Sequence, residues 1–308
     1  MKEEKYPWQG QVVNKSLKTR DGVNICYQTL GTDKKKPVVC IAHGLGARLY
    51  AWAPILNVIL PRYRVITWHY RGLYQSETQE SIRRFSILDH AEDLKSILDR
   101  EKVNKVHIIG WSMGVQVALE FAHLFPERLE KLVLINGTYG HTLSTGLQPL
   151  FRIPYMADLL HIVIETLKSR KESASLIRKV ATNKKITGAV GSLYSTLRGS
   201  PYFTEVLQQY ADDVLGDSFN NYLRLFQELD AHSAYHNLPE IVHPALVVWG
   251  DLDPLIPAYL SRRIRRRLVN AYTLRFWLGT HFVHLEYPKR APNRILRFLD
   301  SHIIEPDV

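Results

Sequence analysis

The chain has only two cysteines in 308 residues, Cys26 and Cys40, both inside apolar, strand-like runs (VNICYQTL and PVVCIAHG). Two core thiols point away from a disulfide framework, so a stapled extracellular scaffold is not expected and a reducing cytoplasm is the expected setting. No apolar run approaches the roughly 20 residues that a bilayer crossing needs, so no integral membrane segment is expected. The opening MKEEKYPWQG carries acids and no apolar stretch of the kind a secretory leader requires, so none is expected. Also missing are a metal-ligand cluster, a phosphate loop and a dinucleotide fingerprint, and accordingly neither a metal nor a cofactor is expected. Internal repeats and low-complexity tracts are absent too.

What is present is ordinary globular composition, 45% hydrophobic and 23% charged, enough for one large core with an inserted subdomain. The net charge of +10 is local in origin. Part of it is the run SRRIRRRL, with Arg262, Arg263, Arg265, Arg266 and Arg267. The rest lies mid-chain, at Lys168, Arg170, Lys171, Arg178, Lys179, Lys184 and Lys185. Solvated helix faces account for such runs most simply. The sharper reading is peripheral contact with an anionic membrane or an acyl-carrier protein. No nucleic-acid-binding motif accompanies the charge, so a nucleic-acid partner is not expected. Monomer and homodimer are equally compatible with the sequence.

Hydrophobic periodicity orders the chain. Residues 10–30 read as two short strands around the RDGVN turn, Asp-Gly being a hairpin signal. PVVCIAHG and YRVITWHYRG are continuous apolar runs, the pattern of strands buried on both faces. SILDHAEDLKSILDREK has helical spacing with Ser86 as N-cap. KVHIIG is a strand, a helix follows Ser112 to about Pro126, and EKLVLING is the next strand. Alternation of strand and helix through residue 137 predicts an α/β fold, a mostly parallel sheet with helices on both faces. From 138 to 238 no buried strand is evident, and YMADLLHIVIETLK and NNYLRLFQELDAH read as helices. Strands resume with ALVVWGDLDP and YTLRFW, and APNRILRFLDSH closes the chain as a helix. The expected organisation is a core domain of residues 1–137 and 239–308 interrupted by a helical cap at 138–238.

Ser112 stands in Gly110-Trp111-Ser112-Met113-Gly114, between a strand and a helix. This is the G-x-S-x-G nucleophile elbow in its required context: the turn lifts the hydroxyl, and glycines let strand and helix backbones pass closely. A structural serine at a turn is the bland alternative. A serine nucleophile needs a base, and the base needs an orienting acid. LGTHFVHLEYP offers His281, directly after Gly279-Thr280, and His284, which reads better as a packing residue. VVWGDLDPLIP offers Asp251, beside Gly250 and suited to capping its loop, and Asp253, further out and preferred as the acid. Two oxyanion donors are expected from the backbone N–H groups of Met113 and Leu45, the latter in His43-Gly44-Leu45-Gly46. His43 reads as a residue holding that loop. Trp111 and Gly44 are expected near the floor of a substrate pocket. That pocket would be roofed by the apolar and aromatic side chains of the insertion: Leu150, Phe151, Tyr155, Met156, Leu159, Ile162, Val163, Leu193, Tyr194, Tyr202 and Phe203.

With HGLG, GWSMG, GDLDPLIP and GTHFVHLEYP in this order, the chain resembles the α/β-hydrolase-fold family over nearly its whole length. The resemblance implies a serine hydrolase with a helical cap and favours Asp253 and His281. One departure stands out. Where relatives often read D-x-R-G-x-G-x-S, this chain has His69-Tyr70-Arg71-Gly72-Leu73-Tyr74-Gln75-Ser76. A serine nucleophile disfavours the dehalogenases and epoxide hydrolases of the fold, which use aspartate. The expected activity is hydrolysis of carboxylic esters of small molecules through an acyl-enzyme. A C–C bond hydrolase, lactonase or thioesterase would use the same triad. A non-turnover receptor on the same scaffold is the alternative from another class.

Overall fold

The structure, a computed structural model, describes residues 6–77, 85–145, 203–214 and 219–300. The chain opens with the hairpin β1 (Val13–Lys18) and β2 (Asn24–Leu30), closed where Thr19 N–H donates to Val23 O at 2.8 Å and Gly22 takes φ +88°. Strand β3 (Val38–Ala42), helix α1 (Ala53–Ile59) and strand β4 (Arg64–Trp68) follow, and every residue of both strands is buried. The second apolar run stops being strand sooner than its pattern predicts. His69 leaves the sheet, and the chain turns through Gly72 at φ +75°.

Helix α2 (Ile87–Arg100) starts at Ser86, as its sequence implies, through a reciprocal capping box. Asp89 N–H donates to Ser86 Oγ, and Ser86 N–H donates to Asp89 Oδ2 at 2.9 Å. Strand β5 (Val106–Trp111) runs into α3 (Met113–Leu124), and β6 (Leu129–Ile135) comes next. Within 138–238 the described residues include α4 (Phe203–Val214) and α5 (Phe219–Ala231), and their only sheet-like pairing is the isolated bridge Gly140–Ser233. The predicted helix YMADLLHIVIETLK lies outside the described residues. The chain ends with β7 (Ala245–Gly250), α6 (Ala258–Arg267), β8 (Ala271–Phe276) and α7 (Arg290–Asp300).

The eight strands form one sheet in the order β1-β2-β4-β3-β5-β6-β7-β8. Pairing is antiparallel at β1–β2 and β2–β4 and parallel from β4 to β8. Alternate strand residues feed two cores. Cys40, Ile66, Ile108, Leu132 and Val247 pack against α2, α3 and α6 on one face. Val39, Val65, Ile109, Val133 and Val248 pack against α1 and α7 on the other. This is why the parallel strands read as unbroken apolar runs. From β3 the chain steps one way to β4 and then returns to β5 on the other side. That reversal opens a crevice at the carboxyl ends of β3 and β5. Helices α4 and α5 lie against the loops at these ends: Tyr210 Oη donates to Leu45 O at 2.6 Å and Asn221 Nδ2 to Gly72 O at 2.8 Å. No helix among the described residues is long and apolar enough to cross a membrane.

The tightest packing in the sheet domain is at the start of α3. A Cβ on Gly114 would stand 2.0 Å from Ala42 O, and one on Gly110 would stand 2.3 Å from Gly114 O. Both obstacles are backbone, which cannot rotate away. Gly114→Ala should therefore destabilise the fold by about 1–3 kcal/mol or more, read as a lowered urea midpoint with an unchanged m-value.

Candidate active site

Ser112 occupies the one-residue link between β5 and α3 at φ 55°, ψ −116°, a left-handed conformation that costs a non-glycine residue about 1–3 kcal/mol. It is the N-cap of α3, yet its side chain caps nothing. The hydroxyl is thus spared the role serine usually takes at a helix start. Its N–H donates to Ile135 O at 3.0 Å, tying the elbow to the end of β6. Trp111 and Met113 on either side are buried, whereas Ser112 itself is partly accessible. The Met113 N–H is the first amide of α3, where helix amides have no intrahelical acceptor.

The two late histidines separate cleanly. His281 Nδ1 lies 2.8 Å from Asp253 Oδ2, and its backbone carbonyl accepts from Trp111 Nε1 at 2.9 Å. With a carboxylate as acceptor, Nδ1 carries the proton and Nε2 keeps its lone pair. His284 is fully buried, stacked on Trp52 at 5.4 Å and edge-on to Trp111 at 4.8 Å. Burial, reinforced by neighbouring His281, pushes its pKa down to about 3, so it is a neutral packing group.

The two acids separate as well. Asp253 is 5% exposed, and its Oδ1 accepts from the N–H groups of Leu255 and Ile256, both at 2.9 Å. Its Oδ2 accepts from Asn136 Nδ2 at 2.8 Å in addition to His281. Asp251 is committed elsewhere. Its Oδ2 pairs with Arg275, Nη2 at 2.7 Å, and its Oδ1 accepts from Trp249 Nε1.

The loop after β3 is clamped from several sides. His43 Nδ1 accepts from Trp52 Nε1 at 2.8 Å, which puts the ring proton on Nε2, 2.6 Å from Thr67 Oγ1; that hydroxyl in turn donates to Ile41 O. Burial lowers the His43 pKa to about 3 and keeps this relay neutral. The His43 carbonyl accepts from Tyr70 Oη at 2.8 Å. Gly46 has φ +79°, and its carbonyl accepts from Tyr74 Oη at 2.7 Å, one residue beyond the Leu45 carbonyl held by Tyr210. Trp111 lies directly under Gly44, where a Cβ would meet its ring at 2.8 Å. At 1% exposure the indole props the loop from beneath.

Three residues of this region receive no role from the sequence motifs, although Glu286 and Tyr74 lie within stretches that those motifs contain. Asn136, at φ 46°, bridges Asp253 and the Thr280 carbonyl. An Asn-Gly pair closing a strand is its only sequence signal. Glu286 accepts from the Thr280 N–H at 2.8 Å and from its hydroxyl, bracing the turn that carries His281. Tyr74, in the departing segment, has φ 54°, packs against His69 at 5.0 Å and accepts from Tyr222 Oη at 2.8 Å. Among the described residues no group of three or more His, Cys, Asp or Glu is arranged to hold a metal ion.

The family model described as the alpha/beta hydrolase fold matches residues 37–288. The protein RutD of Caulobacter vibrioides (strain NA1000 / CB15N), whose name proposes a carbamate hydrolase, is 32% identical over 270 residues, spanning 86% of this chain and 91% of its own. The 2-hydroxy-6-oxononadienedioate/2-hydroxy-6-oxononatrienedioate hydrolase 1 of Pseudomonas putida is 27% identical over 305 residues, 93% of this chain and 96% of its own. Among solved structures, a thermophilic esterase from Thermogutta terrifontis superimposes with a TM-score of 0.71 at 20% identity, covering 94% of this chain and 98% of that one.

The buried histidines make stability depend on pH. An unfolded histidine titrates near 6.5, whereas folded His43 and His284 titrate at about 3 and His69, lowered by burial, at about 4. Between those values the unfolded chain binds more protons than the native one. The stabilisation is complete above pH 6.5 and drains away as pH falls toward the folded values, by about 1.4 kcal/mol per pH unit for each histidine. Urea midpoints taken from pH 7.5 down to 5 should decline on this slope, and His284→Phe should flatten it by one histidine's share. An unchanged slope in that variant would mean that His284 is not held neutral.

Proposed function

The chain belongs to the α/β-hydrolase fold family, and within it we propose a serine hydrolase that cleaves carboxylic esters, preferring hydrophobic acyl groups. Residues 138–238 serve as its cap over a core of 1–137 and 239–308. One observation carries the reading. The Asp253 carboxylate, already held by three other donors, lies 2.8 Å from His281 Nδ1, leaving Nε2 free to accept a proton.

In this mechanism the Ser112 hydroxyl attacks the acyl carbon while His281 Nε2 takes its proton. Asp253 fixes the imidazole tautomer and stabilises the imidazolium. The Leu45 and Met113 amides receive the oxyanion, and because two tyrosines hold the carbonyls of Leu45 and Gly46, the donor loop needs little reorganisation. The imidazolium returns its proton to the departing alkoxide, which leaves as the alcohol. His281 next deprotonates a water that attacks the acyl-enzyme, and the acid leaves as Ser112 recovers its proton. A C–C bond hydrolase, lactonase or thioesterase would share these groups. Ester cleavage is preferred because it requires nothing further.

Support for a hydrophobic acyl group comes from the aromatic packing beside His281. Phe203 of α4 meets Phe282 edge-on at 5.5 Å, and Phe282 lies 5.4 Å from Trp111 and 5.6 Å from His281. The other residues expected to roof the pocket, Leu150 through Tyr202, lie outside the described residues.

Multiple turnover of p-nitrophenyl esters separates this reading from a receptor, which would react once or not at all. Ser112→Ala, His281→Ala and Asp253→Asn should each lower kcat by about 10³-fold or more with circular dichroism unchanged. Asp251→Asn should cost less than tenfold. If Asp251→Asn were the more damaging of the two acid variants, the wrong carboxylate has been named.

A second measurement addresses the acyl pocket. Because each buried methylene contributes about 0.8 kcal/mol, kcat/KM should rise several-fold per added methylene from C2 until the pocket is full. A steady fall from acetate onward would reject the apolar pocket while leaving the triad standing.

A further inference from the structure

Eight large apolar side chains among the described residues are strongly exposed, and four of them gather at one rim of the sheet: Trp277 (71%), Leu278 (55%), Leu252 (54%) and Leu255 (41%); a fifth, Tyr259 (38%), follows on the next helix and donates its hydroxyl to Thr145 O. They come from segments that lie side by side. Leu252 N–H donates to Gly279 O at 2.9 Å, which sets the Leu252–Leu255 loop against the Trp277–Leu278 turn. The loop then leads into α6, whose first turn carries Tyr259.

The same helix supplies charge of one sign. Ala258, Leu260, Ser261 and Ile264 are buried against the sheet. Tyr259, Arg262, Arg263 and Arg266, at i, i+3, i+4 and i+7, form a single stripe on the opposite face and line one open basin. Arg263 lies over the rings of Tyr139 and Tyr235, at 5.8 and 5.1 Å. Arg262, Arg265 and Arg266 meet no carboxylate among the described residues. Arg275, beside the apolar cluster, is paired with Asp251 and covers the Trp277 ring at 5.6 Å, so it holds the indole in place.

We propose that this rim docks the protein on an anionic lipid bilayer. Trp277, Leu278, Leu252 and Leu255 enter the boundary between headgroups and acyl chains, and Arg262, Arg265 and Arg266 meet lipid phosphates. An exposed indole and three exposed leucines beside arginines that meet no carboxylate among the described residues are what an interfacial anchor requires, an apolar face for the acyl region and a cationic one for the headgroups. A polyanion such as RNA would use the arginines and leave the leucines in water. A second copy meeting through the same patch would bring arginine stripe against arginine stripe. Docking here sets the loop that starts at Leu252 and holds Asp253 at the bilayer surface. The proposal stands whether or not the chain is an esterase, because its readout is binding.

Sedimentation with vesicles tests it. Vesicles of phosphatidylcholine with about one third phosphatidylglycerol should carry the protein down, and pure phosphatidylcholine vesicles should bind it at least roughly tenfold less. Trp277→Ser/Leu278→Ser and Arg262→Glu/Arg266→Glu should each reduce the bound fraction by a similar factor, with thermal unfolding unchanged. Trp277 fluorescence should shift to the blue on the anionic vesicles. No binding to the anionic vesicles overturns the proposal. So does binding that survives both double substitutions, or binding that follows the arginines alone and is matched by RNA. A dimer dissolved by Trp277→Ser/Leu278→Ser with no loss of vesicle binding would assign the patch to a second copy instead.

Discussion

Where β5 turns into α3, the backbone of Gly114 presses on the carbonyl of Ala42, with 2.0 Å left for a Cβ that is not there. That approach pulls the helix start onto the end of β3 and leaves a single residue, Ser112, to reverse the chain at positive φ. The consequences spread along the neighbouring strand ends. Ser112 N–H bonds Ile135 O, and Gly137 passes Val115 too closely for any side chain. Asn136 between them is thus placed to hand its amide to Asp253. The residue before the serine, Trp111, holds the carbonyl of His281. The last residue of β5 and the first after β6 therefore fix both loops that bring Asp253 and His281 together, although those loops follow β7 and β8. Strain at Ser112 is local and is borne by a backbone over-determined on every side.

Much of this was legible in the amino-acid order, because it depends on local chemistry. Runs such as PVVCIA and KVHIIG are apolar throughout since both sheet faces are covered, and each became a strand. Ser86 was legible as a cap because its partner, Asp89, is three residues away. GWSMG was legible because glycines must flank a turn this tight. The choice between Asp251 and Asp253 had a weaker basis: two acids two residues apart differ only in what they meet, and Asp251 meets Arg275 at 2.7 Å. Asn136 lies 117 residues from Asp253, and Tyr74 lies 148 from Tyr222, so no spacing rule could have paired them. The end of β4 falls short of its apolar pattern for a related reason. Tyr70, apolar in pattern, is buried by pointing its hydroxyl at the His43 carbonyl, outside the sheet.

The segment that departs from its relatives' usual pattern has an internal logic. Tyr74 stands where that pattern has glycine, and the backbone there is left-handed, at φ 54°. An aromatic residue at such an angle costs about 1–3 kcal/mol. His69 stands where the pattern has aspartate, and the two replacements pack on each other, ring centroids 5.0 Å apart. What offsets the strain is the reach of the phenol. Its hydroxyl donates to Gly46 O and accepts from Tyr222 of α5, and its ring lies 4.6 Å under the Arg48 guanidinium. Burial pushes its pKa well up, so the hydroxyl keeps the proton that it donates. A glycine would relax the backbone but leave Gly46 O without that donor, and of the two bonds described between the β4 loop and α5 it would keep only that of Asn221 to Gly72 O. Two peptides along from the Leu45 amide, the Gly46 carbonyl is where the left-handed tyrosine joins the loop after β3 to α5. Two hydroxyls thus join α5 to the loop whose first residues press on Gly114.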